Sequence, residues 1–169
     1  MKAMKVGIVL AAGLLALAVG AKADDNNRLG VGAHYWTTVK NIDVHNVDRH
    51  GFSWIGSYQY WPSLIGIEAD VEWLQDGFAG ASQDVYEPQA YLILGRTLYA
   101  AAGIGGYYSD SNWGDKPFYA FRAGVTFEVL PRLYLDITAD YRFEDWSGLK
   151  ASDINSDTIT VGAAARFAF

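Results

Sequence analysis

Almost the whole chain beyond residue 27 alternates with a period of two, and this restricts the fold more than any other feature. Leu133, Leu135, Ile137, Ala139, Tyr141 and Phe143 alternate with Tyr134, Asp136, Thr138, Asp140, Arg142 and Glu144. Successive side chains of a strand point to opposite faces, so one face is apolar and the other ionic. Ile65, Ile67, Ala69, Val71 and Trp73 stand against Gly66, Glu68, Asp70 and Glu72 in the same way. The segments 118–129 and 159–169 repeat the pattern, the first with Arg122 and Glu128 on its polar face and the second with Arg166. Weaker alternation over about 28–39, 51–61, 85–95 and 97–108 brings the total to eight strands. Pro88 cannot donate to a ladder, which predicts a bulge in the fourth.

The connections alternate too. Tight turns lie around Pro62-Ser63, Gly95-Arg96 and Leu130-Pro131-Arg132, whereas 40–50, 75–84, 109–116 and 145–157 are longer and polar. An even number of strands puts both ends of the sheet beside the short turns, where the first and last strands can pair. The expected fold class is all-β: a closed eight-stranded antiparallel up-and-down transmembrane β-barrel.

The N-terminus carries Lys2 and Lys5, an apolar run from Val6 to Ala21, and the small-x-small site Ala21-Lys22-Ala23. This pattern predicts a cleaved signal peptide over 1–23 and a barrel domain over 24–169. The apolar run is shorter than the roughly 20 residues of a spanning helix. Taking out Lys2, Lys5 and Lys22 leaves 10 of the 13 basic residues against 19 acidic ones, a net charge of −9. A nucleic-acid partner, which needs a basic footprint, is excluded. There is no cysteine to staple the domain.

Strand length helps to decide which face meets solvent. About 11 residues at roughly 3.3 Å each, tilted near 45°, match the apolar band of a membrane barrel, about 25 Å tall. Aromatic residues collect near strand ends (Tyr35, Trp54, Tyr60, Trp73, Tyr107, Tyr119, Tyr141, Phe143, Phe167, Phe169), where amphipathic rings suit the membrane interface. The interior then holds a polar network of Arg28, His34, Glu68, Asp70, Glu72, Glu87, Arg122, Glu128, Asp136, Asp140, Arg142, Glu144 and Arg166. Eight strands enclose only enough space for side chains, which predicts a filled interior rather than an open pore. Ala101, Gly103 and Gly105 leave room for larger side chains opposite. The competing arrangement is a soluble lipocalin-type carrier with an apolar cup.

Two stretches resemble the eight-stranded outer-membrane β-barrel family of OmpA and OmpX type. One runs from Phe121-Arg122-Ala123-Gly124-Val125 through Leu130-Pro131-Arg132-Leu133 to Asp140-Tyr141-Arg142-Phe143; the other is the closing stretch from Val161 to Phe169. The resemblance implies the outer membrane of a Gram-negative bacterium. It also implies that Val161, Ala163, Ala165, Phe167 and Phe169 form a signal for the barrel-assembly machinery. Outer-membrane lipids and lipopolysaccharide are the expected partners of a monomer. No peptidoglycan-binding domain accompanies the barrel.

Catalysis has one candidate grouping, His34 with Ser53, Ser57, Glu68 and Asp70 on the first three strands. His34 lies midway along its strand inside a filled barrel, and no His-x-Ser pair like that of barrel lipid A deacylases occurs. No enzyme is expected; lipid A modification and a small porin-like channel are the alternatives. Asp43, His45, Asp48 and His50 in the first long loop could surround a cation, but their spacing demands none. No metal or other cofactor is expected. The function that remains is a structural or surface-interaction role carried by four extracellular loops.

Overall fold

Alternating segments of this kind must pair with one another, because a strand edge left bare in hydrocarbon carries unsatisfied backbone groups. A computed structural model describes residues 26–39, 50–76, 78, 81, 83–114, 116–143 and 157–169. Eight long strands form the wall: β1 (Asn27–Thr38), β2 (His50–Tyr60), β3 (Ile65–Leu74), β4 (Val85–Gly95), β5 (Leu98–Gly105), β8 (Phe118–Leu130), β9 (Leu133–Phe143) and β10 (Thr158–Ala168). Each pairs antiparallel with its neighbours, and β1 pairs with β10 from Arg28↔Ala168 to Thr38↔Thr158, closing the cylinder. Among the described residues no helix is long and apolar enough to cross a membrane.

The short β6 (Tyr108–Ser109) and β7 (Asn112–Trp113) form a ribbon above β4, turned through Asp110 and Ser111, both with positive φ. This corrects the expected fifth strand, which stops at Gly105 rather than 108. Pro88 brings a second correction, since it causes no bulge. It pairs with Val71 in unbroken β3–β4 register. On its other side the β4–β5 ladder ends at Gln89↔Gly105, leaving only Gly106 N–H to reach Pro88 O at 3.1 Å. The proline sits in the gap between the β5 pairing and the Tyr86↔Tyr108 pairing, so its missing N–H costs little. The register shift lies in β8 instead, between Glu128 and Leu130 beside the turn to β9.

The two wall faces separate cleanly. No outward position on the eight long strands is Asp, Glu, Lys or Arg, and Val31, Ile67, Leu92, Leu98, Ile137 and Val161 are exposed there. Tyr35, Trp54, Tyr60, Trp73, Tyr119, Phe143 and Phe167 are exposed with them. Tyr107 is not one of the girdle, as expected from its place near a strand end, but is buried. It packs under the long-loop end with Trp36, Leu74, Phe78, Ala81, Val85 and Phe118. A second apolar cluster, Trp61, Tyr91, Ile93, Tyr99, Ala101 and Ala120, includes the inward side chains nearest the short turns after β2 and before β5. Polar groups crowd between these clusters.

Large inward side chains fit because glycine stands directly across the ladder from them. The register pairs Trp36 with Gly51, His34 with Gly162, Arg166 with Gly30, Tyr91 with Gly103, Phe118 with Gly105 and Tyr99 with Gly124. A methyl group at any of these glycines would run into the facing side chain.

Candidate functional site

The interior is organised around three buried arginines. Arg142 on β9 donates through Nη1 to Glu87 Oε2 at 2.6 Å and through Nη2 to Glu72. Glu72 also accepts from Ser53 and from Gln89 Nε2, and lies 3.2 Å from His34 Nδ1. Arg122 on β8 binds Asp140 through Nε and approaches Asp70 and Glu68 at 3.3 Å through Nη1. Arg166 on β10 donates to Asp136 at 2.6 Å, Ser57 at 2.6 Å and Glu68 at 2.9 Å. Glu68 therefore joins the second and third clusters, and Gln59 Nε2 holds its other oxygen at 2.8 Å. The first cluster connects through Gln89 to the Tyr91 hydroxyl, whose ring faces the Arg122 guanidinium with its centroid 4.0 Å away. These contacts make one continuous network across the lumen.

Its strand origins explain its geometry. Arg166 lies opposite Gly30 on β1, and Gly30 lies opposite Ser57 on β2. Without a Cβ at Gly30, the guanidinium passes over β1 to reach Ser57 and Glu68. Guanidinium donors and carboxylate oxygens in a dry interior form short, charge-assisted bonds, which help to repay desolvation where the charges are paired.

Of the expected network, His34, Glu68, Asp70, Glu72, Glu87, Arg122, Asp136, Asp140, Arg142 and Arg166 are buried together. Arg28 is buried apart from them, its Cζ 3.9 Å from the Tyr134 ring centroid and 5.3 Å from that of Trp61. Glu128 lies outside the network: it is exposed beside the β8 register shift, and its Oε1 accepts from Arg132 N–H at 2.9 Å. Glu144 falls outside the described residues, as do the 1–23 segment, Asp43, His45 and Asp48. His50 is at the outward end of β2, stacked on Tyr35 at 6.0 Å.

The catalytic grouping does not assemble. Ser53 and His34 both use Glu72 rather than each other, and Ser57 is occupied by Arg166. Network members missed in the sequence are Gln59, Gln89, Tyr91 and Tyr99, whose hydroxyl donates to Asp136 at 3.0 Å. Their inward parity was the available signal.

Residues 9–167 match the family described as outer membrane protein beta-barrel domain. The chain belongs to that family. Membership implies the outer membrane of a Gram-negative bacterium. The family chain is similar to the crystal structure of Neisserial surface protein A at 16% identity and TM-score 0.63, covering 88% of this chain and 100% of that one. It also resembles the N-terminal barrel domain of Pseudomonas aeruginosa OprF at 12% identity and TM-score 0.47, covering 84% and 98%. A third similar structure is AlkL in lipid bilayers, at 14% identity and TM-score 0.48, covering 89% and 93%. No curated protein sequence matches the chain.

Proposed function

We propose that this outer-membrane barrel is non-enzymatic, that its own side chains block its lumen, and that it acts in envelope structure or surface interaction through its four long loops. The observation that carries this reading is the unbroken network from Arg142 to Arg166, with an apolar cluster at each end. A diffusing solute would have to break buried ion pairs, and a lipid substrate has no path to His34. The inverse arrangement, an apolar cup inside a charged wall, would be needed for a soluble carrier.

Lipopolysaccharide and outer-membrane lipids surround the monomer, and the assembly machinery reads Val161, Ala163, Ala165, Phe167 and Phe169. Residues 1–23 are removed on export, so sequencing of the envelope-purified protein should begin at Asp24. Planar-bilayer recording tests the central claim. The purified barrel is expected to give no large stable conductance; steady, wide-open current steps would overturn it. Lipid A mass spectra should be unchanged when the gene is expressed; a modified lipid A lost in His34→Ala would establish the enzyme instead.

A further inference from the structure

Arg28 differs from the other inward arginines in having no carboxylate hydrogen-bonded to it. Only 6% of its surface is exposed, yet its Nε and Nη1 have no hydrogen-bond partner. Arg96 and Arg166 add like charge around it. The carboxylate that acts on it, Asp136, already accepts from Arg166 and Tyr99. A guanidinium taken out of water in this way calls for a counter-ion.

It also lines a pocket of about 240 Å³ at the short-turn, periplasmic mouth, together with Trp61, Arg96, Thr126 and Tyr134. Trp61 Nε1 and Thr126 Oγ1 are likewise buried without partners. Arg96 is fixed at the rim, its Nη1 donating to Trp61 O at 3.1 Å and Ser63 O at 3.2 Å. Guanidinium and indole nitrogens only donate, and a hydroxyl donates as readily as it accepts. The lining residues thus combine unused donors with two positive charges. The one acid on its lining, Glu128, receives the Arg132 amide and sets one negative charge against the two positive ones.

We propose that this pocket binds the oxyanion of a phosphate group presented from the periplasmic side, with Arg28 as its counter-ion, Trp61 and Thr126 as neutral donors and Arg96 at the rim. Two guanidiniums against one carboxylate leave the lining net positive, which suits an anionic group. The four unpartnered atoms, Arg28 Nε and Nη1, Trp61 Nε1 and Thr126 Oγ1, outnumber the two oxygens of a carboxylate and suit the several oxygens of a phosphate. The phosphate could belong to a soluble ester or to a phospholipid headgroup of the inner leaflet.

The test is an NMR titration of the refolded barrel in maltoside detergent with inorganic phosphate, following the Trp61 indole N–H, assigned by its loss in Trp61→Phe. A saturable shift is expected, with affinity weakened about tenfold in Arg28→Gln and less in Thr126→Val, as loss of one charge-assisted hydrogen bond predicts. Heat-modifiable migration shows whether each variant is folded. If Arg28→Gln does not fold, Arg96→Gln and Thr126→Val must each weaken binding. An unmoved indole, an equal shift from chloride at matched ionic strength, or folded variants that titrate like the parent would overturn the proposal. Tighter binding of glycerol 3-phosphate than of phosphatidylglycerol in nanodiscs identifies a soluble ester, and the reverse a headgroup.

Discussion

Arg122, Arg142 and Arg166 in the middle of the lumen each touch two or more carboxylates, whereas Arg28 at the short-turn mouth is flanked by the faces of Trp61 and Tyr134. All four are buried. Burial alone therefore does not set what an arginine contributes here; the counter-charge does. A buried pair gains little over an apolar substitute, but stripping one member leaves a bare ion behind. Belt and mouth should respond to mutation in opposite ways.

The largest effect is expected from Glu72→Ala, which leaves Arg142, His34, Ser53 and Gln89 without their shared acceptor. It should lower folding free energy by about 3–5 kcal/mol, measured by urea titration into lipid vesicles; a loss below about 1 kcal/mol would erase the contrast between belt and mouth. Ala139→Arg sharpens the comparison from the other side, placing a guanidinium on the lipid wall with no partner. A cost of about 2–4 kcal/mol in the same assay is expected near the membrane midplane. Tyr99→Phe removes one donor from Asp136 while Arg166 remains, and should cost about 1.5–3 kcal/mol. Arg28→Gln gives up only contacts with ring faces and relieves an unpaired charge, so the change should stay within about 1 kcal/mol.

Strand order, the inward charges other than Glu128 and the undescribed Glu144, and the closure of β1 on β10 were legible, because a period of two allows only two faces and hydrocarbon accepts only one of them. Partner choice was less legible. His34 does lie opposite Ser53 and Ser57 opposite Asp70, as hairpin symmetry suggested. Yet Glu72 is the acid that His34 meets, and Ser57 turns to Arg166, because long side chains cross the ladder diagonally and pass over glycines. Such reach depends on stagger between strands, which alternation does not encode. Tyr107 was misread because it lies beyond the end of β5, where parity no longer specifies a face.

Arg166 also bears on the order of assembly. Its bonds to Ser57 and Glu68 connect residues 109 and 98 positions apart, across the seam where the final strand meets the first. Until β10 docks, Ser57 and Glu68 lack this guanidinium and water must serve them instead. Drying of the lumen is therefore a late event, and the last strand to arrive brings the latch.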